Sequence, residues 1–155
     1  MPNYSIKDKK NLLTHNAWTG GEYQHNLTNI YMGEGQETLI SNECSLIGDT
    51  SLKITRTGNT TYWTEVRIYN EPVSSKGEVT LFSQYTVRVY AMIVFNDGTQ
   101  TSNYIDVPPN IRPQWISISL PDYDYSKTIM FYSLRIVLTH INDYCFASNF
   151  SITAQ

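Results

Sequence analysis

The sequence predicts an all-β fold, more specifically a jelly-roll β-sandwich of two antiparallel sheets. The composition favours strands and turns over helices, with 12 tyrosines, 17 threonines and 13 asparagines against 16% charged residues. Short β-prone runs alternate with turn signals rich in Gly, Asn and Asp, and no segment has a long amphipathic helical pattern. The spacing of the turns is irregular, which argues against a propeller or a solenoid.

The β-prone runs predict nine strands in chain order. Turn signals such as TGNTT (57–61), SSKGE (74–78) and NDGT (96–99) separate them. The dipeptide Asp97-Gly98 favours a tight hairpin, so the runs on either side of it should pair antiparallel. The predicted strands are residues 11–14, 38–46, 51–57, 61–69, 84–95, 99–107, 114–120, 130–139 and 144–153.

Length and charge bound the domain organisation and the partners. A chain of 155 residues can bury one ordinary core, so we expect a leader or linker at 1–10 and a single domain at 11–155. The net charge is −3 and the only basic run is KDKK near the start, which argues against a nucleic-acid partner. No window approaches the ~20 apolar residues of a membrane helix, so membrane insertion is not expected.

The sequence has no recognisable catalytic or metal-binding motif. His15, His25 and His140 are not spaced to present two metal ligands on one face, and no GxSxG motif occurs. We therefore expect a protein that is not an enzyme. Cys44 and Cys145 are the only cysteines, and the sequence leaves open whether they are two separate thiols or a bridge between near-terminal strands.

The segment TYWTEVRIYN (61–70) alternates with a period of two, which is typical of a strand with two different faces. The face that suits a core carries Tyr62, Thr64, Val66 and Ile68, and the opposite face carries Trp63, Glu65, Arg67 and Tyr69. A large aromatic side chain on an open sheet face implies either cover by another segment or a ligand.

Two further strands extend this second face. In the run 84–95, Tyr85, Val87 and Val89 suit the core, which turns Thr86, Arg88 and Tyr90 outward. In the run 130–139, Leu134, Ile136 and Leu138 suit the core, which turns Ser133 and Arg135 outward. An arginine at the centre of a strand needs an acceptor, which is either a polyhydroxylated or acidic ligand or a salt bridge to Glu65.

These side chains have the chemistry of carbohydrate recognition. A sugar ring stacks its apolar C–H face on an indole or phenol, while its hydroxyl rim bonds to charged side chains. The predicted carbohydrate-binding residues are Trp63, Glu65, Arg67, Tyr69, Arg88, Tyr90 and Arg135. Trp115 begins a strand whose Ile116 and Ile118 point inward, so we expect it to seal an edge of the sandwich.

Five segments in order resemble motifs of the jelly-roll carbohydrate-binding modules found beside xylanases and cellulases. NLLTHNAW (11–18) resembles their NLLxNxxFE opening, and GDTSLKITRTGNTTYWTEVRI (48–68) is similar to their GxxSLxVTxRTxxWxGVxx. QYTVRVYAMI (84–93), QWISISLP (114–121) and CFASNFSIT (145–153) resemble the later motifs YTxSxYxK, WxxxSxxFxxP and xYIDNVSLx. The resemblance implies that Trp63 is the stacking tryptophan, whereas Arg56 departs from the expected spacing and no role is carried over to it.

The resemblance also implies a biological setting. Such modules occur within larger enzymes, adhesins and phage tail or baseplate proteins, so it implies a polysaccharide or cell-surface glycan as ligand and other domains or subunits as partners. The implied location is extracellular, at a cell surface or on a virion. The alternative is a structural or protein-interaction sandwich of a virion or cell-surface assembly, whose aromatic face packs on a neighbouring subunit without a sugar.

Modules of this kind often hold a structural calcium ion, for which the resemblance offers Asp49 and Asn149 as ligands. The pattern is degraded here, because Thr19 stands where the opening glutamate would be and Asn149 replaces the final aspartate. Two negative charges are thereby lost from the implied site, and calcium binding remains one of two open outcomes.

Overall fold

The computed structural model describes residues 30–41, 43–44, 51–69 and 74–154, and it confirms the all-β sandwich. Two five-stranded sheets face each other, and every ladder between the described strands is antiparallel. The strands are β1 (Ile30–Met32), β2 (Gln36–Ser41), β3 (Ser51–Arg56), β4 (Trp63–Tyr69), β5 (Ser74–Phe82), β6 (Val87–Phe95), β7 (Gln100–Val107), β8 (Gln114–Ser119), β9 (Ile129–Leu138) and β10 (Tyr144–Ala154).

The order of the strands places the three candidate binding strands side by side. The first sheet has the order β1-β4-β9-β6-β7, and the second has the order β2-β3-β10-β5-β8. Fully buried side chains of both sheets meet between them, among them Leu52 and Ile54 of β3, Val89 of β6 and Leu134 of β9. Because β4, β9 and β6 are neighbours, their outward side chains form one continuous face.

The predicted hairpin is confirmed, with β6 and β7 paired antiparallel along their length. Its loop has three residues, 96–98, as the predicted strand bounds imply, since the Phe95 amide donates to the Thr99 carbonyl at 2.9 Å and the Gly98 amide donates to the Phe95 carbonyl at 3.0 Å. Gly98 has a φ of +86°, a conformation that glycine adopts without strain. The predicted strand at 11–14 lies outside the described residues.

The sequence prediction was wrong at residues 74–78, where SSKGE forms the start of strand β5 instead of a turn. Serine, lysine and glycine all favour turns over strands, so local propensity points away from the observed structure. The packing of the two sheets explains the glycine, because a Cβ added at Gly77 would overlap Leu134 Cδ2 of the facing sheet. Gly77 therefore allows a close approach of the sheets that any side chain would prevent.

The remaining sequence predictions on the fold have mixed outcomes. Ile116, Ile118 and Leu120 point inward, as predicted. Trp115 lies on the edge strand β8 but is 51% exposed, and its role in sealing the edge stays a prediction. Cys44 and Cys145 are both free thiols, and burial raises the pKa of the Cys145 thiol to about 12. No helix in the described part of the chain is long and apolar enough to cross a membrane.

The substitution Gly77→Ala tests the close approach of the sheets. Because the new methyl group must displace the fully buried Leu134, we expect the free energy of unfolding to fall by about 1–3 kcal/mol. Chemical denaturation of the wild type and the variant measures the change. Gly58→Ala is the matched control, since its Cβ would meet only Gly35 Cα at 3.4 Å and should shift stability by less than about 0.5 kcal/mol. Equal stability of the wild type and Gly77→Ala would contradict the packing argument.

Candidate functional site

The outward face of the first sheet is organised in cross-strand rows. One row runs from Glu65 of β4 through Arg135 of β9 to Tyr90 of β6 and Tyr104 of β7. The adjacent row runs through Trp63, Val137, Arg88 and Asp106 in the same strand order. Directly opposed side chains in such rows are close enough to interact. The register thus brings five of the predicted binding residues into two neighbouring rows.

An ion cluster, formed by the buried Glu65 and the partly exposed Arg67 and Arg135, occupies the β4–β9 part of this face. The Arg67 Nε donates to Glu65 Oε1 at 2.6 Å, and Arg67 Nη2 forms an ion pair with the same oxygen. The Arg135 Nη2 donates to Glu65 Oε2 at 3.3 Å. Glu65 is 0% exposed. The sequence left two acceptors open for these arginines, a ligand or a salt bridge to Glu65. The structure contains the salt bridge for both of them.

The two guanidinium groups of this ion cluster also lie on aromatic rings. The Arg135 Cζ is 4.3 Å from the centroid of the Trp63 ring, and the Arg67 Cζ is 4.3 Å from the centroid of the Phe131 ring. Guanidinium groups stack favourably on aromatic faces. One face of the Trp63 indole is consequently in contact with a cation of the same chain.

A cleft of about 430 Å³ lies beside the ion cluster at the end of the sheet where β6 begins and β9 ends. Two tyrosines, two arginines and a carboxylate line it together with threonine and aliphatic side chains. The lining residues are Arg56, Tyr62, Thr86, Arg88, Tyr90, Asp106, Val137, Leu138 and Thr139. The cleft therefore combines phenol rings with hydrogen-bonding groups.

A bidentate ion pair forms one wall of the cleft. The Arg88 Nε and Nη2 donate to the two carboxylate oxygens of Asp106 at 2.8 and 3.1 Å. This hydrogen bonding raises the pKa of the Arg88 guanidinium and holds the pKa of the Asp106 carboxyl below its ordinary value. The Arg88 Cζ also lies 4.1 Å from the centroid of the Tyr104 ring, which fixes the plane of the guanidinium. The pair is charged at neutral pH and presents both donors and acceptors.

Arg56 fixes the opposite wall. Its Nη1 donates to the carbonyls of Leu138 and Thr139 at 3.0 and 2.5 Å, and its Nη2 donates to Asn59 Oδ1 at 3.0 Å. Its Cζ lies 3.6 Å from the centroid of the Tyr62 ring. The side chain is 7% exposed, so its contacts hold the β3–β4 connection against the end of β9 and orient the Tyr62 ring.

The predicted binding residues divide into groups. Arg88 and Tyr90 line the cleft, and the ion cluster with Trp63 lies beside it. Tyr69 occupies the register position opposite Phe131, toward the other end of β4. Asp49 lies outside the described residues and Asn149 lies within β10. In the described ranges no three His, Cys, Asp or Glu side chains converge on a metal position, and the calcium prediction remains untested.

Sequence reasoning missed part of the cleft. Tyr62 was assigned to the core by extending the alternation of β4 backward, but Thr61 has a φ of +48°, and β4 begins only at Trp63. The left-handed residue breaks the alternation, so Tyr62 lines the cleft instead. Asp106 and Arg56 were also missed as wall residues. A signal for Arg56 existed in the TGNTT turn that follows it, which brings the chain back across its side chain.

Comparisons with known proteins support the fold. No protein-family model matches the chain, and no curated protein matches it in sequence. Among solved structures, the CBM22-1 xylan-binding domain from Paenibacillus barcinonensis Xyn10C is 12% identical with a TM-score of 0.65, and the match covers 94% of each chain. The C-terminal family 22 carbohydrate-binding module of Clostridium thermocellum Xyn10B is 15% identical with a TM-score of 0.61, over 90% of this chain and 91% of that one.

A third similar structure is the enzymatically active domain of bacteriophage CBA120 tailspike protein 4, at 12% identity and a TM-score of 0.64. That match covers 90% of this chain but 21% of the tailspike chain. At these identities the likeness concerns the fold. The resemblance to jelly-roll carbohydrate-binding modules inferred from the sequence is thus confirmed at the level of architecture.

The substitution Glu65→Gln tests the ion cluster. Removing the buried negative charge leaves Arg67 and Arg135 without their shared carboxylate, so we expect the free energy of unfolding to fall by about 3–5 kcal/mol. Urea denaturation measures the change. Asp106→Asn is the control, because the same chemical change at the exposed Arg88 pair should alter stability little. Similar small losses for both variants would show that Glu65 does not hold the face together.

Proposed function

We propose that this protein is a carbohydrate-binding module without catalytic activity, and that a polysaccharide or cell-surface glycan binds in the cleft beside the ion cluster. The observation that carries the proposal is the composition of the cleft, in which Tyr62 and Tyr90 share a 430 Å³ space with the Arg88–Asp106 pair. The similar xylan-binding domain from Xyn10C and the similar carbohydrate-binding module from Xyn10B support it, since they share the architecture over nearly their whole length.

The cleft can supply both kinds of contact that a sugar requires. The phenol rings of Tyr62 and Tyr90 offer surfaces for the C–H face of a pyranose ring. Asp106 can accept hydrogen bonds from sugar hydroxyls through oxygen lone pairs that Arg88 leaves free. Arg88 carries five N–H donors and directs three of them to Asp106 and Tyr90, so two remain for ligand oxygens.

The ion cluster has a supporting role in this proposal. Glu65 holds Arg135 over the Trp63 ring, and Trp63 lies across Val137 from Arg88 in the same row. Trp63 then presents its remaining surface at the border of the cleft, where a longer glycan would reach it. Of the predicted binding residues, Arg88 and Tyr90 contact the ligand directly, and Trp63 extends the contact for longer chains.

The wider setting is also a proposal. We place the protein outside the cell, at a cell surface or on a virion, as a module that works with other domains or subunits. Three similar structures support such a setting. One is a xylan-binding domain from Xyn10C, one is a C-terminal carbohydrate-binding module of Xyn10B, and one is the enzymatically active domain of a bacteriophage tailspike protein.

A glycan and polysaccharide screen with the wild type and Tyr90→Ala tests the function. We expect binding to at least one neutral or acidic polysaccharide, and an affinity loss of roughly tenfold or more for Tyr90→Ala through the lost ring contact. Titration calorimetry with the best ligand measures both affinities. Circular dichroism first establishes that the variants are folded.

Tyr125→Ala is the matched control. Tyr125 is 75% exposed and belongs to a tyrosine pair near Phe95, at the end of β6 opposite the cleft, so its removal should leave affinity unchanged. Equal affinity of the wild type and Tyr90→Ala would place the ligand elsewhere. No binding to any glycan would overturn the proposed function and favour the subunit-packing alternative.

A further inference from the structure

Strand β7 forms an exposed edge of the first sheet. Within the described part of the chain it pairs only with β6, and it is eight residues long. Its side chains are exposed on both faces, with Tyr104 at 55% on the outward side and Ile105 at 41% on the side that faces the second sheet. Asn103 and Val107 tie β7 to the body of the sandwich, while Tyr104 and Ile105 leave apolar surface open on its two faces.

The sequence of β7 lacks the devices that usually protect such an edge. Natural edge strands are blunted by lysines, prolines, bulges or short length, because unpaired N–H and C=O groups recruit further strands. The sequence QTSNYIDV contains no lysine, arginine, proline or glycine, and the ladder to β6 runs without a bulge. Its single charged residue, Asp106, is paired with Arg88 of the same chain.

The hairpin fixes which backbone groups of β7 point to the open edge. Phe95 and Thr99 form a hydrogen-bonded pair, and such pairs recur at every second residue of an antiparallel ladder. Residues 101, 103, 105 and 107 therefore direct their N–H and C=O groups to β6. The groups that point outward belong to Gln100, Ser102, Tyr104 and Asp106.

We propose that β7 pairs with β7 of a second copy of this chain, in an antiparallel register centred on Asn103. Self-pairing about a two-fold axis must match outward-pointing residues with one another, which restricts the centre to a few positions. Centring on Asn103 uses all four outward-pointing residues. It pairs Gln100 with Asp106 and Ser102 with Tyr104 of the partner copy, and yields about eight inter-strand hydrogen bonds, two for each hydrogen-bonded pair.

The facing side chains in this register are compatible. Asp106 meets an uncharged Gln100, so no like charges oppose each other. On the side of the second sheet, Ile105 meets Thr101 of the partner copy, which covers the apolar surface that the monomer exposes. Asn103, whose Nδ2 donates to the Ser119 carbonyl of β8 at 2.9 Å within the chain, lies opposite its own symmetry mate across the axis. A second copy therefore satisfies both the open backbone groups and the exposed isoleucine.

The dimer has a consequence for binding, which depends on the function proposed above. A two-fold axis that pairs edge strands in one sheet runs perpendicular to that sheet, so the outward faces of both copies point in the same direction. The clefts of the two copies could then engage one polysaccharide chain or one surface together. Joint engagement would raise the apparent affinity without a new contact. The pairing of β7 itself does not require any sugar.

Charge complementation at Asn103 tests the proposal. Asn103→Lys and Asn103→Asp each set two like charges against each other across the axis, so each variant alone should be monomeric while the wild type is dimeric. An equimolar mixture of the two variants should recover the dimer, because opposite charges then face each other. Both charged variants lose the bond from Asn103 to the Ser119 carbonyl, so recovery of the dimer in their mixture isolates the effect of charge. Sedimentation velocity over a range of protein concentrations measures the mass. Asn96→Lys, at the exposed tip of the same hairpin, is the control and should remain dimeric.

Each result of the sedimentation experiment either supports or overturns the proposed dimer. Loss of half the sedimenting mass in each single variant and its recovery in the mixture would establish both the edge and the register. A monomeric wild type at every concentration, or dimers that persist in both single variants, would overturn the proposal. Ser102→Pro provides a second route, since it removes an outward N–H without touching the ladder to β6, and it should give a monomer where Ser102→Ala does not. Circular dichroism confirms that each variant is folded.

Discussion

The burial of Glu65 on the outward face of the first sheet is the constraint on which the rest of this face depends. Desolvating a carboxylate that is 0% exposed costs several kcal/mol, and neighbouring cations must offset this cost. Two arginines do so, one from the same strand and one from the neighbouring strand β9. The ion pair between Glu65 of β4 and Arg135 of β9 therefore links the two strands through their side chains, in addition to their backbone hydrogen bonds.

The burial of Glu65 also divides the outward face into two parts. One part is occupied by contacts within the chain, and the other borders free space. Arg67 and Arg135 are committed to Glu65 and to the rings of Phe131 and Trp63, so this part of the face is occupied by contacts within the chain. One row further along, the Arg88 guanidinium has an exposed partner and borders free space. Ligand binding is expected where the arginine is oriented but not buried. An arginine alone does not define a site. What distinguishes these three is exposure, since the Arg88 side chain is 39% exposed against 25% for Arg67 and 20% for Arg135.

Most of the side chains on this face could be predicted from the alternation in the sequences of β4, β6 and β9. A period of two assigns each side chain to a face once one core residue is known. The register between strands could not be predicted in the same way. A two-residue turn at Asp97-Gly98 would have placed Val107 opposite Arg88, whereas the observed three-residue loop places Asp106 there. One residue of loop length thus decides whether Arg88 has an acceptor. The predicted strands 84–95 and 99–107 leave three residues between them, but the Asp97-Gly98 dipeptide alone does not distinguish the two loop lengths.

Mapping by NMR tests most directly whether a glycan occupies the cleft at the end of the sheet where β6 begins, as we propose. Backbone amide shifts would be followed while the best polysaccharide fragment from the screen is added. We expect the perturbed amides to cluster at residues 86–90, 104–106 and 137–139, around the Arg88–Asp106 pair and Tyr90. A cluster around Tyr123 and Tyr125 at the opposite end of β6, or no perturbation by any glycan, would contradict it.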